Sequence, residues 1–485
     1  MVRTLLVAFV AFVALSASPP VRAGPPRPPN IVLILADDLG CADLGCTGSR
    51  VIGTPSIDRL RREGMLFTQA HSPACVCAPS RCSILTGKAI PHAQIRDNAE
   101  FGKMPDGEFG GQAALAAGTE TIARALQRRG YATMVAGKWG LGGPGEPQGH
   151  PLEQGFDRFF GYLCQYDAHH HYPAALWDGR ERIPLPGNGR TATGATYAPD
   201  LFLSQALEFI DANRERPFFL FFATTVPHLA LQAPEAEIER FRAKFAAAGV
   251  ADPPYEGQRG YLPCPSPRAT YAAMVSRFDR DVGRLVARID ELGLGSDTLI
   301  VLTSDNGGTF DVGGFDPAFF RSNGALRGAK CSLWQGGVRV PLIARRTGAV
   351  PANAACDLPV VGYDLFPTFL ALAGAASDAR VDGIDLGPAL RGSPPTNRPA
   401  IAWEDPVGKG TQAVRDGNWK AVRRKVRVPD ETTVELFDLA VDPGEGTDVA
   451  AANPEVVARL VAIMDARTPS SRAAWNFDAA PAAAK

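Results

Sequence analysis

The chain has 485 residues, more than one small core requires, so a large domain with a smaller companion is expected. Apolar residues make up 45% of it, enough for a sheet buried on both faces. The formal net charge is -1 with no block of one sign, so no polyanionic partner is implied and nucleic acid is excluded as a ligand class.

The amino terminus reads Met1-Val2-Arg3-Thr4, then an apolar run over residues 5–15, then small residues up to a Val21-Arg22-Ala23 cleavage site. This pattern predicts a signal peptide over 1–23 and a periplasmic or secreted mature protein starting near Gly24. The apolar run is too short to cross a bilayer and no other segment is long enough, so no stable membrane span is expected.

Residues 30–36 (NIVLILA) are a continuous apolar run of strand length, and Asp37-Asp38 follow it. Residues 75–88 hold Cys75, Cys77 and Cys82, with Pro79 placed for a first helical turn and Gly87 for a stop. A short helix starting just after Cys77 would put that residue where free backbone N–H groups favour negative charge. A structural disulfide is the competing reading at this point. Residues 121–129 read as helix and 131–136 as a strand that ends at Gly137-Lys138-Trp139. Residues 217–224 form another apolar strand, ending at Val226-Pro227-His228. A helix over 271–292 precedes a strand over 298–303 and the turn Ser304-Asp305-Asn306-Gly307-Gly308.

Strands alternating with helices predict an α/β fold with a large, mostly parallel sheet flanked by helices. Ligands of such sheets lie beyond the carboxyl ends of the strands, and a polar residue follows each predicted strand here. Asp37, Asp38, Asp305 and the amide oxygen of Asn306 form an all-oxygen set suited to calcium, with magnesium second. Three carboxylates leave such a site negative, and Arg81, Lys138, His228 and Lys330 can offset that charge. Nine cysteines (41, 46, 75, 77, 82, 164, 264, 331 and 356) are present. Some are expected to pair outside the cytoplasm, and none shows zinc spacing with a histidine partner. After residue 395 the pattern turns to short alternating strands and a helix, which gives a small antiparallel subdomain over 396–470 behind a catalytic domain over 24–395. Residues 471–485 are expected to be a mobile tail.

Cys77-Ala78-Pro79-Ser80-Arg81, with Leu85-Thr86-Gly87-Lys88, resembles the signature of the sulfatase family. The likeness extends through 54–60, 137–139, 155–157, 304–307, 327–330, 336–341 and 364–368. The resemblance implies an alkaline-phosphatase-like fold and hydrolysis of sulfate esters in a sulfated small molecule or glycan. It further implies that Cys77 is oxidised to formylglycine by a formylglycine-generating enzyme, with the hydrated aldehyde on the metal attacking sulfur. His228 and Lys330 resemble residues that hold sulfate and protonate the leaving oxygen, while Arg81 and Lys138 steady the reacting groups. Trp419-Lys420 resembles a segment that approaches the site in relatives.

Two positions depart from that pattern. Gly140 stands where most relatives carry a histidine that takes a proton from the hydrate, and Gln335 stands where a glutamate often precedes the Gly-Gly pair. Residues 163–173, with His169, His170 and His171, resemble a bacterial carbohydrate-sulfatase branch. His169 is expected to enter the space left at Gly140 as the replacement base, oriented by Asp167. Arg96, Asp97, Asn98 and His170 are candidates to bind sugar hydroxyls. Rival readings are a phosphoester or phosphonate-ester hydrolase and a non-catalytic binder of sulfated glycans.

Overall fold

Burial on both faces decides the middle of the fold. Strand β1 (Asn30–Ala36) is buried along its whole length. Ile31, Leu33 and Leu35 face one core while Val32, Ile34 and Ala36 face the other, as successive side chains of a strand must. The structure, a computed structural model, describes residues 27–103, 109–258 and 261–478, so the expected signal peptide lies outside the described residues.

Nine further strands join β1 in one sheet. They are β2 (Met65–Phe67), β3 (Ala132–Lys138), β4 (Arg158–Tyr162), β5 (Ala175–Asp178), β6 (Glu181–Pro184), β7 (Phe218–Ala223), β8 (Thr298–Ser304), β9 (Leu342–Arg345) and β10 (Ala354–Cys356). The spatial order is β10-β2-β9-β8-β1-β7-β3-β4-β5-β6. The five central strands, β8 to β4, run parallel, and antiparallel pairs flank them. The expected large, mostly parallel sheet is therefore present. Residues 131–136 do begin a strand, but it continues to Lys138, so that lysine sits on the sheet itself.

Helices cover both faces. α1 (Pro55–Arg62), α4 (Ala198–Asn213), α5 (Glu235–Ala247) and α6 (Pro267–Glu291) pack over one core. α2 (Cys77–Thr86), α3 (Ile122–Arg128) and α7 (Leu365–Ala373) pack over the other. Among the described residues no helix is long and apolar enough to cross a membrane. No disulfide joins any of the nine cysteines, which corrects the expectation that some would bridge. Most are buried, where a small thiol serves as an apolar filler.

A four-stranded antiparallel sheet, β11 (Ile401–Asp405), β12 (Thr411–Asp416), β13 (Trp419–Arg424) and β14 (Thr433–Asp438), carries α8 (Pro454–Asp465) on one face. The segment after it, expected to be a mobile tail from 471, is docked through its described residues. Arg427 donates to the carbonyls of Ala474 and Asn476, and Trp475 is only 3% exposed in the core that holds α2 and α3. Composition pointed to a tail because alanine and serine dominate it, and one tryptophan reverses that balance. Residues 479–485 lie outside the described residues. Trp475→Ala is expected to destabilise the protein by about 3 kcal/mol, read as a lower midpoint in urea unfolding.

Candidate active site

The parallel strands β1, β3, β7 and β8 deliver their carboxyl ends to one place. β1 brings Asp37 and Asp38, β3 brings Lys138, the loop after β7 brings His228, and β8 brings Asp305 and Asn306. Helix α2 points its first turn at them. Cys77 is its first residue, and Gly87, at φ 71°, closes the other end in the left-handed conformation that glycine adopts freely. Val76 supplies no side-chain cap; instead Asn98 Oδ1 accepts the Ala78 N–H at 2.8 Å. A remote side chain thus satisfies one of the helix's orphan donors. Asn98 therefore positions the first turn of α2 through its oxygen, a role not read from sequence.

Every charge in the cluster has a partner. Lys138 Nζ donates to Asp37 Oδ2 at 2.7 Å, and Lys330 Nζ to Asp38 Oδ2 at 2.9 Å. Arg81 forks onto Asp305 Oδ2 at 2.8 and 3.0 Å and donates to the Lys138 carbonyl at 2.6 Å. Cys77 Sγ lies 3.4 Å from Asp37 Oδ1. His228 Nε2 lies 2.9 Å from Lys330 Nζ, and its Nδ1 faces the Leu229 carbonyl. That arrangement fits a neutral imidazole with Nδ1–H donating and Nε2 accepting.

Burial and charge set the protonation states. Burial works to raise the Asp37 carboxyl, but Lys138, with Arg81 and Lys330, outweighs it and holds it well below the usual carboxylate range. Burial and the Asp37 charge push Asp305 up to about 6. Burial and the Lys330 ammonium drive His228 well below the usual histidine value. Lys330 itself is opposed by burial but stays charged beside Asp38. Burial, with Asp37, pushes the Cys77 thiol far up, so an unmodified thiol here is protonated and a poor nucleophile at neutral pH.

The donor set fits a hard divalent cation. Ligand atoms of Asp37, Asp38, Cys77 and His228 all lie within 4.8 Å of one another. Asn306 Oδ1 is buried without a hydrogen-bond partner, while its Nδ2 donates to Asp38 Oδ1 at 2.8 Å, so the amide oxygen is directed for another electrophile. Asp305 is the exception: Arg81 occupies its Oδ2, and the Asp38 N–H reaches its Oδ1 at 3.2 Å.

The expected filling of the space at Gly140 is corrected. A Cβ on Gly140, at φ 75°, would meet Gln165 Nε2 at 2.1 Å, so Gln165 occupies that space. His169 instead stacks on His228 with ring centroids 4.8 Å apart, and burial with the nearby His228 and Lys138 keeps it neutral. Asp167, expected to orient it, pairs with Arg190. His171 is held by the His228 carbonyl and Thr225. His170 is half-buried, with burial and Arg190 lowering it to about 4, and stands outside the charged cluster.

Arg96 is not available to substrate either. It is 2% exposed and donates to the carbonyls of Ala93 and Thr468, with Glu404 at 3.4 Å, as a strut to the small subdomain. Asp97 is half-buried, and its charge reaches Asp405 and Cys75. Lys420 does not enter the site; it is buried against Glu445 at 2.7 Å and the Leu333 carbonyl. Glu445 also accepts the Gln335 N–H, so a carboxylate from the small subdomain reaches the Gly-Gly turn where sequence shows glutamine. Asp43 went unread: it accepts from Gly40 N–H, Tyr271 and Ser322 and fixes the loop after Asp38. Only its position, five residues past Asp38, could have suggested it.

Comparison with known proteins agrees with this geometry. The sulfatase family model matches residues 29–375. The chain is 32% identical to mouse steryl-sulfatase over 97% of this chain and 86% of that protein. It is 33% identical to dog N-acetylgalactosamine-6-sulfatase over 84% of this chain and 74% of the relative. The crystal structure of Ps i-CgsB in complex with k-i-k-neocarrahexaose superposes with a TM-score of 0.74 at 28% identity, covering 90% of this chain and 92% of that one.

Asn98→Ala is expected to lower stability by about 1 kcal/mol and to reduce turnover, while Asn98→Asp, which keeps an acceptor for Ala78 N–H, restores much of both. Thermal unfolding and steady-state rates of the two variants check this.

Proposed function

Since the chain belongs to the sulfatase family and is a sulfuric ester hydrolase, we propose that its substrate is a sulfated carbohydrate and that residue 77 carries the reaction as formylglycine. The observation that carries this reading is the position of residue 77 at the first turn of α2, buried beside Asp37 and faced by the ammonium groups of Lys138 and Lys330. A glycan is favoured over other sulfate esters by the likeness to a structure in complex with k-i-k-neocarrahexaose and to a sulfatase named for N-acetylgalactosamine.

Asp37, Asp38 and Asn306 would hold a divalent cation, with Asp305 kept behind them by Arg81 and the Asp38 N–H, and calcium is favoured over magnesium because oxygen donors suit its larger shell. When bound, that ion supplies charge neutralisation for the sulfate and lowers the pKa of an adjacent hydroxyl. The rest falls to the chain. Lys138 and Lys330 bind the sulfate oxygens in a water-poor cleft where each contact is strengthened, and His228 accepts from Lys330 and holds its ammonium in place. Lys330, charged and hydrogen-bonded to neutral His228, is the proton source for the leaving alcohol. Arg81 holds Asp305 and the end of β3 in place. The pattern over residues 1–23 supports export, so the work is placed outside the cytoplasm.

Peptide mass spectrometry of active protein is expected to show an aldehyde at residue 77, with Cys75 and Cys82 unmodified. Cys77→Ala should reduce aryl sulfate turnover by at least about 10⁴-fold with an unchanged circular dichroism spectrum. An active protein with an intact thiol at 77 overturns this route. Turnover of aryl phosphate faster than aryl sulfate would favour the phosphoester reading, and tight binding of sulfated sugars with no turnover would favour the non-catalytic one.

Metal analysis of active protein is expected to return one calcium. A calcium chelator should abolish activity, and added calcium should restore it. Stoichiometric zinc with chelator-resistant turnover contradicts the assignment.

A further inference from the structure

Away from the strand ends, α1, α5 and α6 enclose a groove of about 770 Å³. None of its lining residues belongs to the site above. Its volume lies within the usual range for ligand pockets. Six cations line it (Arg59, Arg240, Lys244, Arg277, Arg280 and Arg284) against two carboxylates, Glu237 and Asp279. Those carboxylates are already committed. Asp279 accepts the backbone N–H groups of Ser56 and Ile57 at the start of α1, and Glu237 pairs with Arg277. Acids beside the groove neutralise Arg59, Arg277 and Arg280.

Three cations remain without a carboxylate. Arg240 bonds the Ser276 hydroxyl at 2.6 Å, Lys244 bonds the Val51 carbonyl at 2.9 Å, and Arg284 makes no ion pair with the described residues. All three are exposed. Their placement is regular. Arg277, Arg280 and Arg284 recur at i, i+3 and i+7 on α6, and Arg240 and Lys244 at i and i+4 on α5, so each series shares a helix face. Steps of three or four residues advance the charge by about 5 Å along each helix, close to one sugar ring per step. The cations gather only in space, so the balanced sequence hides them.

We propose that this groove is a second binding site, for a sulfated polysaccharide chain, which holds the polymer while the active site works. This rests on the sulfated-carbohydrate reading of the substrate. A glycan fits better than single-stranded nucleic acid because the groove's aromatic ring, Phe241, is only 4% exposed and offers no face for base stacking. Ser56 and Ser276 add hydroxyls to the same wall.

The test uses the full-length protein and a triple variant, Arg240→Ala with Lys244→Ala and Arg284→Ala. Affinity for a heparin hexasaccharide is measured at two salt concentrations, alongside aryl sulfate turnover. The expected result is a loss of affinity of about tenfold or more, a shallower salt dependence, and unchanged aryl sulfate kcat/KM. Equal affinity in the variant overturns the proposal, as does a DNA oligonucleotide of the same charge binding the unmodified protein equally well. Loss of heparin binding in the variant, combined with no sulfatase turnover in the unmodified protein, overturns the catalytic reading alone.

Discussion

The fully buried Arg81 guanidinium donates to Asp305 at 2.8 and 3.0 Å and to the Lys138 carbonyl at 2.6 Å, so one side chain from α2 joins the ends of β3 and β8. Asp37 at the end of β1 lies 3.5 Å from the same guanidinium. A buried cation of this kind tolerates no missing partner, since an uncompensated charge in the interior costs about 3–5 kcal/mol. The three strand ends and α2 are therefore fixed relative to one another by a single demand for charge balance. Lysine could not replace it, because an ammonium lacks the planar fork that reaches a carboxylate and a carbonyl together.

The small subdomain belongs to the same balance. Glu445 lies beyond β14, yet it pairs with Lys420 and receives the Gln335 N–H, while Lys420 reaches the Leu333 carbonyl. Leu333 is three residues past Lys330, which binds Asp38. The segment that carries an active-site ammonium is thereby held by a buried ion pair outside the site. Arg96 makes a second link, from just before Asn98 to Thr468.

Sequence made the centre legible and the periphery obscure, for physical reasons. β1, β7 and β8 are apolar on both faces, so their ends and the polar residues beyond them could be placed without a partner being known. Proline at position 79 and glycine at 87 bounded α2 through local backbone preference. Arg96 and Asn98 were misread because sequence near a site shows proximity, not direction, and both turn toward backbone groups. Gln165 lay within a stretch already noticed, but amides have no charge or titration to mark them, and the imidazoles beside it drew attention. Trp475 was lost in a small-residue segment, although a single tryptophan can dock a chain that composition calls loose.

Gly140 and Gln165 form a coupled pair. A side chain arriving at 140 meets the Gln165 amide at 2.1 Å from its Cβ and must also adopt φ 75°, a conformation that L residues other than asparagine and aspartate seldom take. Filling position 140 therefore calls for a rotation of the Gln165 side chain and for a left-handed backbone at the same residue, and the backbone demand is the one that no rotamer change relieves.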